Sequence, residues 1–143
     1  MRILAIRGEN LASLAGPFEV DLEAEPIRSA GIFAITGPTG AGKTTLFDAV
    51  CLALFDRLPR MDSAERGASV GGAEGAKQIQ YDDVRGILRH GMGSGFAEVD
   101  FVGQDHRRYR ARWEVKRAHI KASGTLHPKN HSDRSRNGSG DRR

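Results

Sequence analysis

The chain has 143 residues, of which 38% are hydrophobic, and contains one cysteine. This length predicts one domain or part of one, and no apolar stretch is long enough to cross a bilayer or to act as a secretory signal. Residues 1–117 have 16 basic and 16 acidic side chains, so the net charge of +4 comes from residues 118–143, which have 6 and 2. The lone Cys51 lies in an apolar segment, which indicates a core residue in a reducing compartment.

Two short segments near the amino terminus predict a β-hairpin. Residues 2–7 alternate loosely between apolar and polar side chains, and residues 18–22 alternate cleanly, with Phe18, Val20 and Leu22 on one face. The Ala-Gly-Pro stretch at 15–17 contains typical turn residues and is predicted to connect the two strands.

Residues 37–44 read Gly-Pro-Thr-Gly-Ala-Gly-Lys-Thr and fit the P-loop pattern G-x-x-x-x-G-K-[ST]. The apolar run at 31–36 predicts a buried parallel strand before this loop. The run that follows predicts a helix over about 43–56 that is apolar nearly all round and therefore buried on most sides against a sheet. The sequence thus has the order of strand, glycine loop and helix that a P-loop requires.

The residue types in this loop match the chemistry of phosphate binding. Gly37, Gly40 and Gly42 allow positive φ and a close approach of the backbone, so that successive N–H groups form an anion nest at a helix N-terminus. The Lys43 ammonium is predicted to bridge the β- and γ-phosphates, and the Thr44 hydroxyl is predicted to bind Mg²⁺.

A second hairpin is predicted after a loop at 62–83 whose Gly/Ala-rich part is expected to be mobile. Residues 96–102 and 108–115 alternate in polarity on either side of a five-residue loop. Opposite charges set the expected register, with Glu98 facing Arg112 and Asp100 facing Arg110. The inner face then pairs Ala97 with Trp113, Val99 with Ala111, and Phe101 with Tyr109.

The arginine-rich strand of this hairpin has two interpretations. Its cations and aromatic residues could form a nucleic-acid patch, or the cations could be neutralised across the strands while the aromatic side chains face the core. The residues concerned are Arg107, Arg108, Arg110, Arg112, Lys116 and Arg117, with Tyr109 and Trp113. Residues 118–143 are predicted to be a disordered basic tail, either a DNA-binding arm or a non-native end without a selected role.

These segments together resemble a known family. The stretches MRILAIRGENLASLAGPFEVDL, GIFAITGPTGAGKTTLFDAVCLALF, RGILRHG and FAEVDFVGQDHRRYRARWEV are similar to the amino-terminal ATPase lobe of SbcC, over residues 1 to about 117. The resemblance implies an α/β P-loop NTPase fold of the ABC/SMC head type, represented by its N-terminal lobe alone. It implies ATP and Mg²⁺ as cofactors, and a cytoplasmic, nucleoid-associated DNA-repair ATPase.

The resemblance also implies site residues and partners. Residues 39–45 would cradle the phosphates, and the segment before the second hairpin would line the nucleoside. The full set of expected nucleotide-binding residues is Gly37, Pro38, Thr39, Gly40, Ala41, Gly42, Lys43, Thr44, Thr45, Leu88, Arg89 and His90. Asn10 matches an asparagine of the family, whereas Ala12 replaces an arginine of some relatives. An SbcD-like nuclease subunit, a second ATPase head and DNA are the implied partners.

The family's remaining motifs are not found in the sequence. There is no Q-loop glutamine, heptad pattern, zinc-hook C-x-x-C, L-S-G-G signature or apolar run ending in Asp-Glu. We therefore expect a truncated piece that binds ATP weakly or not at all and hydrolyses it negligibly. The alternatives are a fragment of a transporter-type ATPase, another P-loop NTPase such as a kinase or a GTPase, and a non-catalytic fragment. A GTPase is disfavoured because no N-K-x-D is present.

Overall fold

A computed structural model of the chain describes residues 1–62 and 83–127. The strands are β1 (Arg2–Leu11), β2 (Leu14–Asp21), β3 (Ser94–Val102) and β4 (Arg108–Lys116). The helices are α1 (Ile27–Ala30), α2 (Lys43–Phe55) and α3 (Pro59–Asp62), with 3₁₀ turns at Val84–Ile87 and Ala118–Ile120. The predicted mobile loop at 62–83 lies almost wholly outside the described residues.

The four strands form one antiparallel sheet in the order β2-β1-β3-β4. Both predicted hairpins are present, and the central β1–β3 pair joins them although the two strands are far apart in the sequence. Together with α2, this sheet confirms a mixed α/β chain with antiparallel hairpins.

The connection of the first hairpin differs from the prediction. The strands turn at residues 12–13, where Leu11 pairs with Leu14, and not at residues 15–17. Gly16 instead lies at a register shift with φ +69°, and its N–H donates to the Asn10 side chain at 3.0 Å. The prediction failed because glycine with positive φ serves a β-bulge as well as a turn.

The register of the second hairpin is confirmed at every predicted pair. Glu98 lies opposite Arg112 and Asp100 opposite Arg110. On the other face, Phe101 and Tyr109 stack with ring centroids 5.6 Å apart. Trp113 is buried and its indole N–H donates to Asp56 at 2.8 Å, just beyond the end of α2.

The charged face of the sheet is neutralised by ion pairs that cross all four strands. Arg7 bonds Glu19 at 2.8 Å and Asp100 at 2.7 Å, and Arg110 bonds the same Asp100 at 2.6 Å. Glu98 is only 8% exposed between these arginines. Of the two interpretations of the basic strand, the structure therefore favours the neutralised one. The further pairs on this hairpin are Arg112–Glu98, Arg108–Glu23 and Lys116–Glu114.

Helix α2 packs its buried stripe against β1, β3 and β4. The stripe consists of Thr45, Asp48, Ala49, Leu52 and Ala53, at the i, i+3, i+4 spacing of one helix face. The opposite face is also apolar but is exposed, with Phe47 at 64% and Phe55 at 65%. The prediction that the helix is buried on most sides is therefore wrong for the described chain, because the sheet covers one side of it.

The predicted strand at 31–36 is absent from the described residues. This segment pairs with none of the four strands, and Ile32 is 90% exposed. A parallel strand needs neighbours to bond its N–H and C=O groups, and the four strands of the described part form a sheet of their own. The apolar run is consequently left uncovered.

Residues 118–127 continue from β4 and fold back beside it. His127 N–H donates to Lys116 O at 2.8 Å, and Ala118 N–H donates to Thr125 O at 2.7 Å. The rest of the predicted tail lies outside the described residues, and the boundary at residue 117 stays a prediction. No helix within 1–62 or 83–127 is long and apolar enough to cross a membrane.

Candidate functional site

The glycine loop adopts the backbone conformation that the sequence predicted for it. Gly40 and Gly42 have φ of +84° and +92°, a region that residues with a Cβ rarely adopt. Ala41 N–H donates to Pro38 O at 3.2 Å, which closes a turn just before α2 begins at Lys43. The first N–H groups of a helix have no intrahelical acceptor, so these donors of α2 lie directly after the loop.

Lys43 places its ammonium group over this loop. Its Nζ donates to the carbonyl oxygens of Gly37 and Pro38, each at 2.7 Å. The Lys43 side chain thus folds back across the concave side of the loop and adds a full positive charge to the N-terminal partial charge of α2. Loop amides, a helix N-terminus and an ammonium group together form a donor set that fits a polyphosphate.

The two threonines after Lys43 point in different directions. Thr44 is exposed, whereas Thr45 is buried on the sheet-facing stripe of α2. The Thr45 hydroxyl lies 3.5 Å from the Ser13 hydroxyl in the turn between β1 and β2. Thr44 is therefore the threonine whose hydroxyl is open to a ligand, and its role as a Mg²⁺ ligand stays a prediction.

The first hairpin contacts the last residue of the glycine loop. Leu14 packs so closely on the buried Gly42 that a Cβ at this position would overlap the leucine side chain. Gly42 is thus required twice, by its positive φ and by the contact with Leu14. This support was not predicted, because it depends on the placement of the first hairpin against α2.

The segment at 88–90 lies next to the same turn. Leu88 is a core residue bridged to Leu11, and His90 is exposed. The Arg89 guanidinium donates through Nη1 to Ala12 O at 3.0 Å and Ser13 O at 2.9 Å. The structure therefore brings this segment to the turn that touches the loop, and its contact with a nucleoside stays a prediction.

An ion pair between the buried Asp48 of α2 and the half-exposed Arg60 of α3 was missed by the sequence analysis. Asp48 is buried one turn beyond Thr44, and burial raises the pKa of its carboxyl group while Arg60 opposes that shift. Arg60 Nη2 lies 2.9 Å from Asp48 Oδ2. The sequence signal was an acidic residue inside an otherwise apolar helix, which needs a partner when it is buried. Burial also raises the pKa of the Cys51 thiol, but Cys51 is only partly buried and does not belong to the core, so the prediction of a core cysteine is wrong.

Comparison with known proteins gives the family. The AAA domain family matches residues 5–140, nearly the whole chain. The chain belongs to the AAA domain family. It is also 56% identical, across 126 residues, to the SbcC subunit of the nuclease SbcCD from Pseudomonas aeruginosa. The corresponding subunit of Rhodobacter capsulatus is 49% identical across 126 residues.

The similarity extends to a more distant relative. The chain is 34% identical over 87 residues to the DNA double-strand break repair Rad50 ATPase of Methanopyrus kandleri, a match that covers 61% of this chain and 7% of that protein. The two bacterial matches cover 88% of this chain. The chain nevertheless spans only about a tenth of the length of these bacterial relatives. The predicted resemblance to SbcC is confirmed.

Proposed function

We propose that this AAA-family chain is the ATP-binding, P-loop-bearing portion of an SbcC-like ATPase that acts in DNA double-strand-break repair. The observation that carries the proposal is the loop at 37–42, with the Lys43 ammonium folded over its carbonyl groups at the start of a helix. The similarity to the SbcC subunits of two bacteria selects this ATPase type among P-loop proteins. An ABC/SMC-type head and a cytoplasmic, nucleoid-associated location belong to the same proposal.

Each part of the loop has a role in holding Mg-ATP. The backbone N–H groups of residues 39–42 and the N-terminus of α2 would bind the phosphate oxygens, which are the acceptors that such donors prefer. Lys43 would exchange its two carbonyl bonds for phosphate oxygens and neutralise their charge. Thr44 would hold Mg²⁺, which neutralises the phosphates further. Thr45 would fix the first turn of α2 through Ser13.

The segment Leu88–His90 is proposed to border the nucleotide from the side of the hairpin turn. Arg89 reaches the carbonyl groups of Ala12 and Ser13, and Ser13 reaches Thr45 on α2. This series of contacts links the segment to the first turn of α2 and supports the proposal. Because Leu88 is buried, His90 is the side chain of the three with the greatest access to a ligand.

Hydrolysis and DNA processing are proposed to require the parts of the longer relatives that this chain does not span. The carboxylate nearest in sequence to Thr44 is Asp48, which is buried and paired with Arg60. It therefore cannot serve as the base that activates water for attack on a γ-phosphate. An SbcD-like nuclease subunit, a second ATPase head and DNA are the partners proposed for the whole assembly.

The uncovered apolar surface supports the same proposal. The exposed face of α2 carries Phe47 and Phe55, and the extended segment before the loop carries Ile32, Phe33 and Ile35. A helix that is apolar all round is buried on all sides in a stable protein, and large exposed patches mark interfaces. We propose that polypeptide corresponding to the remaining length of the relatives covers this surface and pairs with residues 31–36.

The proposal is tested by nucleotide binding to the Lys43→Ala variant. We expect the chain to bind Mg-ATP weakly in isothermal titration or equilibrium dialysis, and the variant to lose this binding, because the Lys43 ammonium places a full positive charge over the loop. Lys116→Ala is the matched control, since Lys116 pairs with Glu114 on the neutralised strand. Ordinary affinity retained by Lys43→Ala would exclude the loop as the site.

A further inference from the structure

Arg89 makes an unusual set of contacts for a side chain beside a predicted ligand site. Its guanidinium donates from Nη1 to two backbone carbonyl oxygens, those of Ala12 and Ser13. The backbone N–H of Arg89 donates to Asn10 O at 2.9 Å, and the backbone N–H of Ala12 donates to Ile87 O at 2.8 Å. Four hydrogen bonds thus tie residues 87–89 to the turn between β1 and β2.

The turn itself needs such support. Asn10 and Ala12 have φ of +54° and +44°, which is the left-handed region that disfavours residues with a Cβ. Backbone strain of this kind persists only where surrounding contacts hold it. Asn10 supplies part of the restraint, because its amide group donates to Ser94 O and accepts from Gly16 N–H. The Arg89 guanidinium and the two backbone hydrogen bonds of residues 87–89 restrain the turn further.

The same turn reaches the glycine loop through the next two residues. Ser13 Oγ lies 3.5 Å from Thr45 Oγ1, and Leu14 packs on Gly42. Gly42 is the last loop residue, and Thr45 is in the first turn of α2. A displacement of the turn would therefore move the two residues that set the position of the phosphate-binding amides.

We propose that Arg89 is a positioning residue of the phosphate site: it fixes the turn at 12–13 against the glycine loop and does not need to touch the nucleotide. This inference rests on the proposed nucleotide-binding function and assigns Arg89 a role in it. Removing the guanidinium should weaken the grip on phosphate, whatever base is attached.

The decisive experiment compares two ligands. Arg89→Met retains the aliphatic stem and removes the donors, and Mg-tripolyphosphate carries the phosphates without a nucleoside. We expect Arg89→Met to weaken binding of Mg-tripolyphosphate and of Mg-ATP by the same factor, about 2- to 30-fold. Arg89→Lys should recover most of the loss, because an ammonium can also donate to two carbonyl groups. A loss confined to Mg-ATP would mean that Arg89 contacts the nucleoside, and no loss for either ligand would also overturn the proposal.

A measurement without ligand keeps the inference testable if the unaltered chain binds nucleotide too weakly, which would be a failure of the proposed function alone. In ¹H–¹⁵N correlation spectra, Arg89→Met should shift the amide signals of Gly42 and Thr45. The matched control is Arg108→Met, because Arg108 lies on β4 and its guanidinium pairs with Glu23. This control should leave the amide signals of Gly42 and Thr45 in place. Changes that stop at residue 14 in Arg89→Met, with Gly42 and Thr45 unmoved, would refute the positioning role.

Discussion

The substitution Asp100→Asn tests the ion pairs that cross the sheet. Asp100 accepts two hydrogen bonds from Arg110, at 2.6 and 2.8 Å, and one from Arg7 at 2.7 Å. The bonds from Arg110, and then the bond from Arg7, lower the pKa of Asp100 from 3.8 to about 2 against the opposing effect of burial. Asparagine has nearly the same shape but lacks the charge, and its amide NH₂ cannot accept the bonds that one carboxylate oxygen accepts, so the variant removes the charge together with at least one of these hydrogen bonds.

The expected magnitude follows from this pKa. A carboxyl group with a lowered pKa in the folded state stabilises that state, at about 1.4 kcal/mol per pKa unit. The lowering of the Asp100 pKa from 3.8 to about 2 corresponds to about 2.5 kcal/mol as an upper limit. The Asp100 side chain is 19% exposed but that of Arg110 is 42% exposed, so solvent screening reduces the expected contribution to about 1–2 kcal/mol.

The pH dependence gives the sign of the effect. Because the folded-state pKa is the lower one, the stabilisation is fully present above the unfolded-state pKa near 4. It is lost as the pH falls through about 2, where the folded carboxyl group is protonated. The free energy of unfolding should therefore differ between the unaltered chain and Asp100→Asn at pH 7, and this difference should shrink as the pH falls below about 4 and be much smaller at pH 2, where about half of the folded carboxyl groups are protonated.

The assay is urea unfolding followed by fluorescence of Trp113, the one tryptophan of the chain, which is buried. Glu114→Gln is the matched control on the same strand, where the pairs with Arg112 and Lys116 are exposed. The control should change the free energy of unfolding by less than about 0.5 kcal/mol. An equal cost of Asp100→Asn at pH 7 and pH 2 would show that shape, not charge, accounts for the effect, and our reasoning would be wrong.

Two further pairs of variants test the packing around α2, each by the same unfolding assay. Gly42→Ala should cost about 1–3 kcal/mol, more than Gly40→Ala, because both positions have positive φ but only Gly42 packs on Leu14; equal costs would exclude that contact. Leu52→Ala should cost about 2–5 kcal/mol, whereas Phe47→Ala should change stability by less than about 0.5 kcal/mol, since Leu52 is fully buried and Phe47 is exposed; a large cost at Phe47 would mean that this face is covered in the isolated chain.

The second hairpin could be predicted in detail because its determinants are local. Its strands are separated by five residues, so few registers are available. Glu98 and Asp100 meet Arg112 and Arg110 in only one of them, and the same register turns Trp113 inward. The alternation of polarity and the matching of opposite charges thus predict the same register of the two strands. The glycine loop was predictable for a similar reason, since its positive φ values are required at positions where the sequence has glycine.

Features that depend on contacts distant in sequence were not predictable. The pairing of β1 with β3 joins residues about 90 positions apart. The location of the first turn depends on the Asn10 side chain, which bonds Gly16 and Ser94. With these bonds, residues 15–17 form a bulge within the hairpin and not the turn that their sequence predicts. The contact of Arg89 with residues 12–13 likewise exists only once both hairpins are in place. The periodicity of hydrophobic residues predicts which side chains are buried, but it does not predict which residues they contact.

The segment at 31–36 gives a reason why the phosphate loop should bind weakly in this chain although its glycines have the positive φ values that the sequence predicts. The loop is supported from one side by the turn at 12–14 and α2, while the segment that leads into it makes no strand pairing among the described residues. Fixing the backbone of one residue costs about 1–2 kcal/mol. Ordering the six residues 31–36 when a ligand binds would therefore cost about as much as the binding free energy of a micromolar ligand, about 8 kcal/mol. Pairing with neighbouring strands would order residues 31–36 during folding, so that ligand binding would no longer have to supply this free energy. The uncovered apolar surface and the weak binding expected of the chain are therefore two consequences of one missing contact, and both should disappear together when polypeptide covers residues 31–36.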